Sequence, residues 1–335
     1  MKGRRLICPG LRKIEVENFE IEPIAANGVL VRNEFTTVSV GTELWNWING
    51  SEPGDPPPTF PRLTGYCNAG TVLEVGNKVT QIKPGDRVAG QGNHASHSIL
   101  TKLITKIPKN VSSKSASLLT MAAIAMHGVR VAKVELGEAV IVIGLGLVGQ
   151  FALSLAKLNG ALPVIGIDLN YMRIKKAKNR GADTCINPEK VNDIVNAVRK
   201  ICIEDGANCV IEATGIPAVY PMAVKLACEA GRLIALGSPR GTVKFNFMEE
   251  VHLREVSILG AIHPKTPVEG NIYYWWTKSR ERNLIFRLMN EGKLTAEDLI
   301  THVAKPDECL KIYNMLADNP HEALGVMFDW RKKNE

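Results

Sequence analysis

Between Ser112 and about Gly260 the chain alternates short apolar runs, Ala139–Ile143, Pro163–Asp168, Asn208–Ala213 and Arg232–Leu236, with segments of helical length. Runs apolar at successive positions predict strands buried on both faces. Their alternation with helices predicts a parallel sheet joined by crossovers. The first third has a different texture. Its β-like runs, Gly28–Val40, Ala69–Gly76, Arg87–Gln91 and Ser98–Ile107, are punctuated by Gly and Pro and predict an irregular antiparallel domain. After Gly260 the pattern gives an amphipathic helix (Ile272–Asn290), a short run (Leu299–Val303), a helix (Pro306–Leu316) and a closing strand (Leu324–Trp330). Pro53–Pro58, PGDPPP, reads as a surface loop, and no internal repeat is present.

The strand Ala139–Ile143 runs directly into Gly144-Leu145-Gly146-Leu147-Val148-Gly149, and a helical run Gln150–Asn159 follows. In that context each glycine has a separate reason. Gly144 permits a tight turn, Gly146 lets backbone approach a pyrophosphate, and Gly149 lets helix and strand pack closely. The second strand ends in Asp168, 19 residues beyond the third glycine. A carboxylate there accepts hydrogen bonds from the adenosine ribose hydroxyls and repels a 2′-phosphate, so the expected cofactor is NAD rather than NADP. Arg173 either lies over that ribose or faces solvent. Thr214 and Gly237 follow the next two strands, at carboxyl ends where open α/β sheets bind ligands, and are expected beside the nicotinamide half. Asp168 as a simple helix cap is the plainer alternative.

Composition narrows the function classes. With 335 residues, 45% hydrophobic and 22% charged, the chain is long enough for two domains and too apolar for disorder. The formal charge is +7, but the basic residues scatter, with small knots at Arg4-Arg5, Arg173–Arg180 and Arg331–Lys333. No nucleic-acid partner is expected. Seven cysteines without a Cys-x-x-Cys pair give neither a disulfide framework nor a zinc knuckle, and fit a reducing cytoplasm. Ala139–Ala156 has the length of a membrane span, but three glycines and Gln150 interrupt it and the dinucleotide turn accounts for them. Neither membrane insertion nor a secretory signal is expected.

An ordered set of segments resembles the medium-chain dehydrogenase/reductase superfamily of zinc-type alcohol dehydrogenases. They are VSVGTELW (Val38–Trp45), TGYCNAGTVLEVG (Thr64–Gly76), KPGDRVAG (Lys83–Gly90), the glycine turn, IEATG (Ile211–Gly215), GRLIALG (Gly231–Gly237) and EDLITHV (Glu297–Val303). The resemblance implies an α/β fold: a GroES-like irregular β catalytic domain, residues 1–122 and 265–335, and a doubly wound Rossmann NAD-binding domain, residues 123–264. It also implies a homodimer or homotetramer. The departures matter most. Where that family carries its catalytic zinc ligands this chain has Val40, Tyr66 with Cys67, and Met121, and Gln91–Ser98 is too short for a structural zinc lobe. No metal is expected, because valine cannot ligate and methionine is too soft for such a zinc.

Without a metal, a side chain must manage the alcohol proton. By resemblance Thr42 matches the relay hydroxyl, while the relay histidine is replaced by Trp45. Tyr66 stands at a ligand position and becomes a hydrogen-bonding candidate, and His94, in GQGNHASHS, is the candidate base. Glu43, Trp45, His97 and His263 are candidates for the substrate pocket, with Trp47 beside them; His127 and His302 read as packing residues. The segments VSVGTEL, GY-x-N-x-G and HASH resemble a metal-free branch described as bacteriochlorophyllide a dehydrogenase-like and, more broadly, polyol, cyclitol and sugar dehydrogenases. The expected activity is therefore interconversion of a secondary alcohol in a small polyhydroxylated substrate with a ketone. Reduction of activated C=C bonds, and a catalytically silent NAD-binding protein, are the competing readings. Asp168 counts against the first and the polar group around Tyr66 against the second.

Overall fold

The computed structural model describes residues 1–202 and 205–331; Lys332 and Lys333 of the basic knot lie outside the described residues. The chain divides into two compact units, Met1–Met121 with Val268–Glu335, and Ala122–Pro267.

In the first unit, β1 (Lys2–Gly10) and β2 (Lys13–Glu20) form a hairpin. The next strand, β3 (Val29–Thr37), ends three residues before the expected limit because Val40 begins helix α1 (Val40–Asn49). The reason is local. The Glu43 carboxylate reaches back to accept the Ser39 N–H at 2.7 Å, satisfying a backbone donor at the helix start. Trp45 and Trp47 are therefore on a helix. Then come β4 (Arg62–Leu63), β5 (Asn68–Val75), β6 (Arg87–Gly90), β7 (His97–Leu100), β8 (Thr105–Lys106) and α2 (Ser113–Ser117). The single run expected over Ser98–Ile107 is thus two strands, with Leu103 at φ 54° turning the chain between them. Helix α3 (Leu119–Ala132) contains the limit between the units.

The second unit is built on β9 (Val140–Ile143), α4 (Leu147–Leu158), β10 (Val164–Ile167), α5 (Tyr171–Asn179), β11 (Thr184–Ile186), α6 (Ile194–Arg199), β12 (Ala207–Glu212), α7 (Tyr220–Lys225), β13 (Ala227–Ala235) and β14 (Ser257–Gly260). Its strands are all parallel, in the order β11-β10-β9-β12-β13-β14. This is the doubly wound order in which strand succession reverses between β9 and β12, opening a crevice at their carboxyl ends. Val140, Ile141 and Val142 are fully buried, as a central strand covered on both faces must be.

The returning chain completes the first unit with α8 (Lys278–Asn290), β15 (Ile300–Ala304), α9 (Cys309–Asp318) and β16 (Gly325–Asp329). Its mixed sheet has the order β15-β16-β3-β5-β6-β8, with β7 also on β3, and β4 closes the hairpin sheet β2-β1-β4. Helix α8 is shorter than the pattern suggested. Thr277 caps it, its side chain accepting the Arg280 N–H at 3.3 Å, and Ile272 and Tyr273 before it are 91% exposed. Among the described residues no helix is long and apolar enough to cross a membrane.

Candidate active site and cofactor site

In the second unit the glycine turn leaves β9 with Gly144 at φ 86°, a left-handed conformation that favours glycine. A Cβ on Gly144 would also lie 2.6 Å from Thr214 Cγ2, so the two loops at the sheet's reversal point touch only because it is absent. On Gly149 a Cβ would meet the Gly144 carbonyl oxygen at 1.8 Å. Gly146 differs: nothing lies within 4 Å of where its Cβ would be. That open side, beside the α4 N–H groups that no intrahelical bond can use, fits a pyrophosphate. Asp168, just past β10, accepts the Leu145 N–H at 2.7 Å on one oxygen and the Asn170 N–H at 2.8 Å on the other. Its carboxylate is held in place with lone pairs to spare, as recognition of a ribose diol requires. The cap of α5 is Asn170, whose side chain accepts from Met172 N and Arg173 N, so Asp168 is not the cap. Arg173 lies in the first turn of α5, and its carbonyl accepts the Gln150 amide at 2.8 Å.

At the other side of the reversal point Glu212 is fully buried at the end of β12. It accepts the Thr214 N–H at 2.7 Å, the Gly215 N–H at 3.1 Å and the Thr214 hydroxyl, and so shapes the loop. Gly237 lies against this loop, where a Cβ would be 2.3 Å from Gly215 N. The residues expected at a dinucleotide, Gly144–Gly149, Asp168, Thr214 and Gly237, all gather at the carboxyl ends of the central strands. Glu212 and Gln150, which organise them, were not singled out from sequence. An acid ending the run Cys-Val-Ile-Glu was the available signal.

In the first unit Thr42 and Glu43 on α1 meet the segment Arg62–Tyr66 around a polar cavity of about 160 Å³. The Tyr66 phenol donates to Ser39 Oγ and also interacts with the Thr42 hydroxyl. Burial, reinforced by Cys67 and by the Glu43 charge, pushes this phenol above its ordinary value. Tyr66 is therefore a proton-bearing donor at neutral pH and not a base. Glu43, 4% exposed, is the hub beneath it. Besides the Ser39 N–H it accepts the Thr64 hydroxyl at 2.9 Å, the Tyr313 hydroxyl at 2.7 Å and His94 Nε2 at 2.9 Å. Burial alone would raise this carboxyl; the His94 charge and the hydrogen bonds outweigh it and hold the group below the usual range.

This geometry corrects the expectation for His94. Its ring is fully buried, with Nε2 on Glu43 and Nδ1 2.7 Å from Thr36 Oγ1, and that oxygen accepts the Trp330 indole N–H at 2.9 Å. Both ring nitrogens are thus committed inside the domain, and His94 supports Glu43 rather than meeting a substrate. The other candidates disperse. Trp45 donates to the Ser51 carbonyl at 3.0 Å, and His97, on β7, lies 3.0 Å from Ser96 Oγ. His263 belongs to the second unit, with its ring 6.5 Å from that of His127, whose Nδ1 is 2.9 Å from Thr266 Oγ1.

The donor set at the family's ligand positions does not suit zinc. Val40 begins α1, Met121 is buried, the Tyr66 phenol is engaged with Ser39, and burial pushes the Cys67 thiol well up. Among the described residues no three His, Cys, Asp or Glu side chains are grouped to hold a metal ion.

Two family models match the chain: an alcohol dehydrogenase GroES-like domain over residues 25–105, and a zinc-binding dehydrogenase over residues 148–272. D-guloside 3-dehydrogenase of Escherichia coli (strain K12) is 29% identical, covering 97% of this chain and all of that one. D-xylulose reductase A of Aspergillus oryzae is 25% identical, over 92% of each chain. Among solved structures, 2R,3R-butanediol dehydrogenase from Bacillus subtilis superposes with a TM-score of 0.84 at 20% identity, covering 98% of this chain and 99% of that one, which speaks to the fold alone. With both domains matched in order and both sheets in place, the chain belongs to the medium-chain, zinc-type alcohol dehydrogenase-like superfamily.

Proposed function

We propose that this protein is an NAD-linked dehydrogenase that interconverts a secondary alcohol of a polyol, cyclitol or sugar and the corresponding ketone without zinc. The observation that carries the reading is Tyr66: a protonated phenol, oriented by Ser39 and Thr42, stands where the family places a metal ligand. Bound NAD supplies the hydride acceptor or, reduced, the donor. The chain's own residues manage the oxygen. On substrate binding the single Tyr66 O–H turns from Ser39 Oγ to the substrate oxygen and Thr42 flanks it, while the Glu43 hub holds α1 and the Arg62–Tyr66 segment in register. Asp168 supports NAD over NADP, and the names of the guloside and xylulose relatives support a polyhydroxylated substrate.

Among the described residues no disulfide joins the seven cysteines, which supports a cytoplasmic protein. Strand β14 is exposed along its whole length and supports a homodimer made by pairing that edge with its copy. The test of the activity is a panel of polyols, cyclitols, sugars and simple secondary alcohols with NAD⁺ and, separately, NADP⁺, followed by reduced-cofactor absorbance. Oxidation of polyhydroxylated members with NAD⁺ in preference to NADP⁺ is expected. Activity confined to NADPH-dependent enone or quinone reduction would overturn the reading.

A further inference from the structure

Glu212 is a buried titratable group that the proposed chemistry of the alcohol oxygen does not use. It ends β12 side by side with Ile143, the last residue before the glycine turn, and with Ala235 on β13, so it stands where three strand ends meet the crevice. Its side chain is fully buried. The donors on its carboxylate are neutral: the Thr214 N–H at 2.7 Å and the Thr214 hydroxyl on one oxygen, the Gly215 N–H at 3.1 Å on the other. Among the described residues no lysine, arginine or histidine pairs with it. Burial, and after it the Glu212 charge, push the neighbouring Tyr220 phenol above its ordinary value. A carboxylate met only by dipoles keeps its negative field, and in a buried place that field reaches further than it would in water.

The strand order decides which part of a dinucleotide would feel that field. Asp168 lies just past β10 and the glycine turn follows β9, which accounts for the adenosine and the pyrophosphate; β12 and β13, next in the sheet, are left to the nicotinamide half. The nicotinamide ring is positive when oxidised and neutral when reduced, so a nearby unpaired carboxylate distinguishes the two forms. We infer that the Glu212 charge favours NAD⁺ over NADH in the crevice, which makes bound NADH the stronger hydride donor and biases the site toward ketone reduction. In that direction the ketone carbon takes a hydride, its oxygen takes a proton, and Glu212 offsets the positive charge left on the ring. The inference rests on the NAD reading above and adds to it the favoured direction.

The test is the Kd for NAD⁺ and for NADH, measured by calorimetry at neutral pH on the full chain and on Glu212→Gln, Glu212→Ala and Glu212→Asp, with thermal midpoints to establish folding. Glutamine keeps an acceptor oxygen for the loop and removes the charge, alanine is a second uncharged protein, and aspartate keeps the charge. A loosened loop alone would weaken both forms alike, whereas the charge acts on their ratio. In each folded uncharged variant Kd for NAD⁺ should rise about tenfold more than Kd for NADH, while aspartate should hold the ratio within about twofold. Uncharged variants that weaken both forms equally, or that leave both unchanged, would overturn the proposal and leave the NAD reading intact. A wild-type chain that binds neither form would sink the NAD reading, and the proposal with it.

Discussion

Individual residues divide into those whose role follows from their type and those whose role depends on neighbours distant in sequence. The glycines are the first kind. Because the space at Gly146 is open and that at Gly149 is filled by the Gly144 carbonyl, the two should fail differently on substitution. Gly146→Val should lose NAD binding, measured by fluorescence or calorimetry, with little change in melting temperature. Gly149→Ala should lower the melting temperature itself. Glu43 and His94 are the second kind: a histidine in a Gly- and Ser-rich loop gives no sign that its ring will be sealed against a glutamate 51 positions away. For Glu43 the sign of the pH dependence follows from its lowered folded-state value. Its contribution is fully present above the ordinary glutamate range and is lost as pH falls through the lower value of the native state. Glu43→Gln should cost about 2–4 kcal/mol at neutral pH and flatten that acid-side loss, as read by urea unfolding across pH. Tyr66→Phe should depress turnover by about a hundredfold while leaving NAD affinity intact, the signature of a donor that acts on the reacting oxygen. Equal turnover in the two proteins would remove Tyr66 from the mechanism.

At the scale of elements, hydrophobic pattern located the four inner strands of the parallel sheet, β10, β9, β12 and β13, because they are largely buried and read as apolar runs, and gave no such run for the edge strands β11 and β14. It was less informative where a side chain sets the boundary. The end of β3 and the start of α1 depend on Glu43 reaching Ser39 N, and α8 begins at its Thr277 cap rather than at the first apolar residue, Ile272. Trp45 and Trp47 show the same limit. Two tryptophans two positions apart do not mark a helix in the sequence, and the structure places both on α1. Caps of this sort have measurable weight. Asn170→Ala removes the acceptor for Met172 N and Arg173 N, and should cost about 1 kcal/mol in chemical unfolding. Because Asp168 also holds Asn170 N, the same variant should weaken NAD binding somewhat while leaving the proposed preference over NADP unchanged.

For the whole molecule, the glycine turn proposed to hold a dinucleotide belongs to one unit and a polar cavity to the other. The order of the family's segments made the two-domain plan legible, and Val40, Tyr66 and Met121 at the ligand positions motivated the zinc-free proposal. The network around Glu43 was not legible, because Ser39, Thr64 and Tyr313 converge on it from separate parts of the chain. Assembly is testable separately: Leu259→Lys places a charge on the exposed edge strand and should shift the proposed dimer to monomer in sedimentation velocity, with the fold retained by circular dichroism. The most direct measurement is NAD⁺ reduction by a polyol in protein stripped with chelator, with its metal content determined on the same sample. Undiminished turnover at a zinc content far below one ion per chain is the expected result. Activity that vanishes on stripping and returns in proportion to added zinc would contradict the account.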